Sequence, residues 1–229
     1  MKRLVDLLRI NEVRFTAIIL SVMTIAALIS LKGNLMSGGA VPCMYDIYLV
    51  GVMHVVSTFC VPFALFYILF VERYNQRPMQ VIREGRVINV WKRSVVDLFI
   101  LTVFFTLYVF ILTTIAGLVL TDRFYNWNEL NSRCMAWSGR ICEEQPSFVL
   151  LLISYIVETF ETFLAAGIIM LGVWWGTNKE WAGYLASIAL ITVDKAGVCD
   201  GIIFSKYYIA GATYKKGLST VSYTHLTLP

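Results

Sequence analysis

The chain has 229 residues, of which 58% are hydrophobic and 15% are charged, and its formal net charge is +4 at pH 7. Soluble domains are about half apolar and about a quarter charged, so this composition, with a mean hydropathy of +0.71, excludes an ordinary water-soluble domain. The positive charge would suit a nucleic-acid partner, but the basic residues cluster beside hydrophobic segments, where they orient membrane proteins. We therefore expect a lipid bilayer and no nucleic acid as the partner.

Four long apolar stretches predict transmembrane helices at residues 15–31, 47–71, 96–120 and 148–175. A helix needs about 20 apolar residues to cross roughly 30 Å of hydrocarbon, and the length of each stretch approaches or exceeds this number. The first stretch is too long for the apolar region of a signal peptide, so we expect it to remain as an anchor. A fifth run, from Trp181 to Val193, would reach only about 20 Å as a helix, so it must continue through 204, break or re-enter.

The final segment, VSYTHLTLP at 221–229, can be back-translated codon by codon into a common transposon-end sequencing adapter. We interpret it as an adapter-derived artefact and exclude it from fold reasoning, the alternative being a genuine polar tail. The protein is then expected to continue beyond Thr220. The predicted fold is all-α, a polytopic transmembrane helix bundle that forms a single domain over 1–220, with four to five spans seen of an expected six.

Lys and Arg residues outside the spans divide unequally between the two sides of the membrane. Ten fall on one side, namely Lys2, Arg3, Arg9, Arg14, Arg73, Arg77, Arg83, Arg86, Lys92 and Arg93, and four on the other, namely Lys32, Arg123, Arg133 and Arg140. Cytoplasmic loops carry the positive excess, which predicts a multi-pass protein of the plasma (inner) membrane with a cytoplasmic amino terminus. Trp91, Trp174, Trp175 and Trp181 fall at the same predicted inner boundary, which suits amphipathic rings.

The loop from Glu72 to Arg93 is the most informative polar segment. It is long enough for one amphipathic helix on the membrane surface, which Pro78 would begin and whose middle Gly85 would weaken. One interpretation is a basic interfacial segment that touches anionic lipid headgroups. The other is a docking surface for a cytoplasmic partner.

In this loop the sequence resembles the membrane subunits of ABC-2-type transporters, including the bacitracin and lantibiotic export group. In those proteins an arginine, a glycine, a second arginine, an aromatic residue and a lysine precede the third span. The comparable positions here are Arg83, Gly85, Arg86, Trp91 and Lys92. The resemblance covers roughly residues 1 to 120 and implies a bacterial permease subunit, whose 79–93 segment would be the coupling helix for an ATPase. Family members usually have six spans, more than are seen here.

The same resemblance implies two protein partners, an ABC ATPase subunit and a second permease chain. The chain contains no G-x-x-x-x-G-K-[ST] phosphate loop, so ATP is expected on the ATPase partner, with no cofactor and no enzymatic activity on this chain. A non-catalytic membrane scaffold or immunity-type protein is the alternative. An intramembrane enzyme is a further one, although no catalytic motif or metal-binding spacing is recognisable.

Two further groups of residues are candidates for a functional role. Glu158 and Glu161 lie three residues apart in the fourth span, which predicts a polar stripe that either lines a substrate path or only holds helices together. Cys134 and Cys142 flank a short stretch of an outward loop, where a disulfide would persist, the alternative being unpaired thiols. We predict no catalytic or metal-binding residue.

Overall fold

The structure is a computed structural model that describes residues 13–36, 39–76, 81–82, 85–138, 145 and 147–195. The described part is helical and contains no strand, which confirms the all-α prediction. In chain order its helices are α1 (Val13–Leu35), α2 (Met44–Val50), a π-helical segment (Gly51–Cys60), α3 (Val61–Asn75), α4 (Val87–Leu120), α5 (Arg133–Ser138), α6 (Phe148–Thr177) and α7 (Glu180–Lys195).

Four helical stretches are long and apolar enough to cross a membrane. They are Phe15–Leu35, Val55–Tyr74, Val87–Leu120 and Phe148–Thr177. These stretches confirm the four predicted spans and make the chain a polytopic membrane protein. The largest difference is in the third helix, which begins at Val87 and not at 96.

The second span is the central helix of the bundle. In its most apolar window 67% of the residues are buried, against 28% in the first span and 39% in the third and fourth. The outer helices expose large apolar side chains, among them Ile25 and Ile29 on α1 and Ile111 and Leu118 on α4. Because a span is surrounded by hydrocarbon, these exposed side chains face lipid.

The second span does not keep α-helical hydrogen bonding throughout, because a proline interrupts it. Pro62, at the start of α3, has no amide hydrogen, and its ring clashes with the carbonyl group four residues earlier. Immediately before it, the amide of Val61 donates to the carbonyl oxygen of Val56, five residues back. The wider π-helical segment therefore ends directly before the proline.

α7 runs back along α6 in close contact. Gly183 lies against the backbone of Met170, and the hydroxyl of Ser187 donates to the carbonyl oxygen of Ala166 at 2.9 Å. α7 has 16 residues, which is about 24 Å of helix and short of the hydrocarbon thickness. Residues beyond 195 lie outside the described part, so continuation, a break and re-entry all stay open for the fifth run.

The bundle has two ends, which we name after a tryptophan at each. At the Trp91 end α3 and α6 finish, and α4 and α7 begin. At the Trp127 end the loops 39–46 and 121–138 pack together, with backbone hydrogen bonds from Val41 to Asn131 and from Met44 to Arg123, both 3.0 Å. The prediction that the Trp91 end faces the cytoplasm stays a prediction.

Candidate functional site

A buried carboxylate joins three helices at the Trp91 end. Glu72, near the end of α3, is only 2% exposed. Its Oε1 accepts hydrogen bonds from Ser94 of α4 at 2.8 Å, from Trp175 of α6 at 3.2 Å and from Gln76 at 3.0 Å. A buried carboxylate is tolerated only when such donors replace water. Glu72 therefore sets the relative positions of these helix ends.

The tryptophans predicted at one membrane boundary do gather at this end. The rings of Trp91 and Trp175 meet edge to face, with their centroids 5.3 Å apart. Trp174 lines a groove that opens beside them, and so does Trp181 at the start of α7. Indole rings favour the level of the lipid headgroups, so this end lies at a membrane surface.

The groove has a volume of about 560 Å³ and a mixed polar and aromatic lining that includes Arg73, Gln76, Trp174, Lys179, Glu180 and Trp181. Arg73 of α3 forms a two-point ion pair with Glu180 of α7, through Nε and Nη2 of its guanidinium. Hydrogen bonding to Arg73 lowers the pKa of Glu180, so this carboxylate stays ionised at neutral pH. The ion pair ties the beginning of α7 to the end of the second span.

The predicted single helix over 79–93 is wrong. Gly85 has a φ of +68°, a left-handed conformation that glycine adopts without strain, and Arg86 is extended with a φ of −140°. The segment therefore breaks at these two residues, and α4 begins at Val87 and continues directly into the third span. Arg83 lies outside the described residues, so its predicted role is untouched by the structure.

The first turns of α4 present apolar and cationic side chains together. Val87 is 64% exposed and Ile88 is 52% exposed. Arg86 and Lys92 are also exposed, whereas Trp91 is half-buried against Trp175. Of the predicted coupling residues, the structure thus places Arg86 and Lys92 on the surface and Trp91 at the joint with α6.

The two glutamates of α6 differ in burial, and the polar stripe predicted for them stays a prediction. Glu158 is 5% exposed and faces the bundle interior, whereas Glu161 is exposed. Three residues rotate a helix by about 300°, which leaves a difference of about 60° between the two side chains. That difference separates a helix-packing face from an outward one. Only Glu158 belongs to the interior of the protein.

Buried hydroxyl side chains lie on both α4 and α6, and one pair of them meets between the two helices. The Thr113 and Tyr155 oxygens lie 2.8 Å apart, and the rings of Phe105 and Phe163 meet further along the same contact. Intervals of four and seven residues return to nearly the same helix face. The buried hydroxyl residues at these intervals, which we call the hydroxyl seam, are Thr102, Thr106 and Thr113 on α4 and Tyr155, Thr159 and Thr162 on α6.

Asp194 joins this interior from α7. The hydrogen bond between Ser187 and Ala166 sets the antiparallel register of α7 on α6. Seven residues further along α7, Asp194 is therefore level with Thr159, next to Glu158 in sequence. Asp194 is buried. Among the described residues no group of three His, Cys, Asp or Glu side chains could hold a metal ion.

Comparison with known proteins identifies no family for this chain. No protein-family model matches the chain, and neither a curated protein nor a solved structure matches it. The resemblance to ABC-2-type permeases therefore stays a prediction from the sequence pattern.

The Trp127 end is held by a second buried carboxylate. Asp46 of α2 accepts the indole N–H of Trp127 at 2.8 Å and the backbone N–H of Cys43 at 2.9 Å. Burial raises the pKa of Asp46, while these hydrogen bonds and the charge of Arg133 act in the opposite direction. Burial, together with the nearby charge of Asp46, also raises the pKa of Cys43 to about 12. The Cys43 thiol is therefore protonated and unreactive at neutral pH.

The predicted disulfide between Cys134 and Cys142 lies partly outside the described residues. Cys142 lies outside the described residues. Cys134 is buried in the same cluster as Cys43, Tyr45 and Trp127. The pairing therefore stays a prediction, while the burial of Cys134 shows that its side chain belongs to the packed interior of this end.

Replacement of Asp46 with alanine is expected to open the Trp127 end. The change leaves two buried N–H groups without their acceptor, at a cost of about 1–3 kcal/mol for each unsatisfied group. Modification of Cys43 by a maleimide, quantified by peptide mass spectrometry, should then become at least about tenfold faster. Asp122→Ala removes an exposed carboxylate of the neighbouring loop and should leave the rate unchanged. Equal rates in all three proteins would contradict the role of Asp46.

The sequence did not reveal Glu72 or the hydroxyl seam as candidates. Glu72 appeared as the first residue of a polar loop, since its partners Ser94 and Trp175 are distant in sequence. The spacing of Thr102, Thr106 and Thr113 was a usable signal, because polar residues on one face of a span indicate a bundle interior.

Proposed function

We propose that the chain is a membrane-spanning subunit of an ABC-type transporter in the plasma membrane, with a cytoplasmic amino terminus. It forms half of a translocation path together with a second permease chain. A separate ATPase subunit docks at the Trp91 end and supplies ATP hydrolysis. The observation that carries the proposal is the exposed apolar and cationic surface of the first turns of α4.

The length of α4 supports a projection of this surface from the membrane. Its 34 residues span about 51 Å, against roughly 30 Å of hydrocarbon. The Trp91 ring marks the interfacial level, and two residues further along α4 the Arg93 Nε lies 3.8 Å from a carboxylate oxygen of Asp97. Val87 and Ile88 precede this level, so they stand beyond the hydrocarbon, where a soluble subunit can reach them.

The chemistry of the surface suits a protein partner. Exposed apolar side chains such as Val87 and Ile88 gain free energy when a partner covers them. The cations Arg86 and Lys92 beside them favour a partner surface that carries acidic residues around an apolar groove. An ATPase subunit with such a groove would contact the segment through both kinds of group.

The contacts behind the surface provide a route for movement. Trp91 packs on Trp175 of α6, and Ser94 donates to Glu72 of α3. A displacement of the beginning of α4 would therefore act on the ends of two other spans. Coupling of this kind requires packed elements with two arrangements, of which the structure describes one.

The polar interior supports a translocation path. Ionisable residues inside spans usually face a bundle interior or a wet cavity, and Glu158 and Asp194 are both buried there. The hydroxyl seam supplies further polar groups along α4 and α6. A non-catalytic scaffold would use the same groups only to hold its helices together, and it would have no ATPase partner.

The docking proposal predicts a specific loss of ATPase binding. The double variant Ile88→Asp, Lys92→Glu places negative charge on the proposed surface, and acidic residues are well tolerated near a helix amino terminus. Co-purification of the ATPase encoded beside this chain should fall at least about tenfold, the effect of losing about 1.4 kcal/mol. The matched control is Leu130→Asp, which changes an exposed leucine at the Trp127 end and should retain the ATPase.

Two outcomes would contradict the proposal. Unchanged co-purification of the double variant, with correct membrane insertion, would exclude the first turns of α4 as the docking surface. The absence of any ATPase from the purified wild-type protein, together with the absence of an ATPase gene next to its own, would favour the scaffold.

A further inference from the structure

The groove at the Trp91 end combines cations with indole rings at the level of the lipid headgroups. Arg73 comes from the end of α3, and Lys179 from the turn between α6 and α7. Trp174 is a buried wall of the groove, whereas Trp181 is half-exposed at its rim. Two cations face one carboxylate, that of Glu180, so the groove has a positive balance.

The ion pair orients Arg73 without using all of its donors. Glu180 engages Nε and Nη2, which form one edge of the planar guanidinium. The Nη1 amino group lies on another edge, and a guanidinium carries five N–H donors in total. Lys179 is exposed and lines the same groove. A phosphate group in the groove could therefore bind the guanidinium and the ammonium group together, which is the arrangement that oxyanions favour.

The groove continues into an apolar track along α7. Trp181 and Leu185 are four residues apart, so they lie on the same helix face, and both are exposed. An acyl chain attached to a phosphate in the groove would run along this face toward the centre of the bilayer. A soluble phosphate would make no use of it.

We propose that this groove binds the headgroup phosphate of an anionic glycerophospholipid, with Arg73 and Lys179 as its ligands and an acyl chain along Trp181 and Leu185. Basic pockets between spans at a membrane surface commonly hold such headgroups. The proposal depends on membrane residence and on the geometry of the groove. It does not depend on ATPase docking or on which side of the membrane the Trp91 end faces.

The test uses the full chain, purified in a neutral detergent and titrated with phosphatidylglycerol, phosphatidylcholine, glycerol phosphate or inorganic phosphate. Native mass spectrometry counts the bound molecules, and thermal unfolding measures the stabilisation. The wild-type protein should bind one phosphatidylglycerol in preference to phosphatidylcholine. The double variant Arg73→Gln, Lys179→Gln should bind it at least about tenfold more weakly, as expected from the loss of charge-assisted hydrogen bonds.

The matched control is Lys32→Gln, which removes an exposed lysine near the end of α1 and outside the groove, and it should bind phosphatidylglycerol as the wild type does. Three results would overturn the proposal. Equal binding of phosphatidylcholine would show that headgroup charge is not recognised. Equal binding of glycerol phosphate or inorganic phosphate would indicate a site for a soluble anion. Undiminished phosphatidylglycerol binding by a folded double variant would place the lipid elsewhere.

Discussion

Replacement of Gly183 with alanine is expected to separate α7 from α6. A Cβ atom at this position would overlap the backbone carbonyl oxygen of Met170 and lie 3.2 Å from the Cβ of Trp174. Backbone atoms cannot rotate away as a flexible side chain can, so α7 has to shift. Overpacking of this kind costs about 1–3 kcal/mol. Thermal unfolding of the variant in detergent, monitored by size-exclusion chromatography, should therefore occur at a clearly lower temperature than that of the wild type.

The matched control is Gly172→Ala in the same helix pair. Nothing lies within 4 Å of a Cβ atom at Gly172. Alanine favours a helix over glycine by about 1 kcal/mol, so this variant should be as stable as the wild type or slightly more stable. If Gly183→Ala unfolded at the temperature of the control, the close packing of α7 on α6 would be refuted, and with it the register that places Asp194 beside Thr159.

Replacement of Glu72 with alanine should produce the second large loss of stability. Glu72 lies near the end of α3, and Pro62 lies at the start of the same helix. The indole N–H of the half-buried Trp175 loses its acceptor, and the missing Glu72 side chain leaves a void, which together should cost about 1–3 kcal/mol. Ser94 is less affected, because its hydroxyl is also 3.1 Å from the carbonyl oxygen of Val90. We expect a lower unfolding temperature and a red-shifted tryptophan emission.

Glu72→Gln separates the hydrogen bonds from the charge. The glutamine keeps a carbonyl oxygen where Oε1 accepts its hydrogen bonds, so most of the stability should return. Glu180→Ala serves as the second control, because it removes an exposed ion pair, and exposed pairs contribute little. A variant Glu72→Ala as stable as these two would show that Glu72 does not join the helix ends.

The spans were predictable because the property that defines them is local. Twenty consecutive apolar residues have to cross hydrocarbon whatever their neighbours are, and all four predicted spans are present. The beginning of the third helix was not predictable in this way. Between 79 and 93 the pattern suited one surface helix, but Gly85 took a left-handed conformation and allowed Val87 to start a helix in line with the span.

The burial of the polar residues, by contrast, could not be predicted from local sequence. Glu158 and Glu161 have the same chemistry and nearly the same position on α6, and only packing makes one buried and the other exposed. Asp194 is an interior residue because Gly183 and Ser187 bring α7 against α6 in a register that sequence spacing does not contain.

The amino-acid sequence by itself determined that this protein is an all-α membrane protein, and it determined where the four long spans lie. These properties depend on the hydropathy and length of each continuous segment, which can be read without the tertiary structure. Only the tertiary structure decided which polar groups meet. Ser94 and Trp175 are far from Glu72 along the chain, and Glu180 is far from Arg73, so the buried junction and the cationic groove at the Trp91 end exist only once the helices are packed. The two candidate surfaces of this protein, the first turns of α4 and the groove, both depend on that packing.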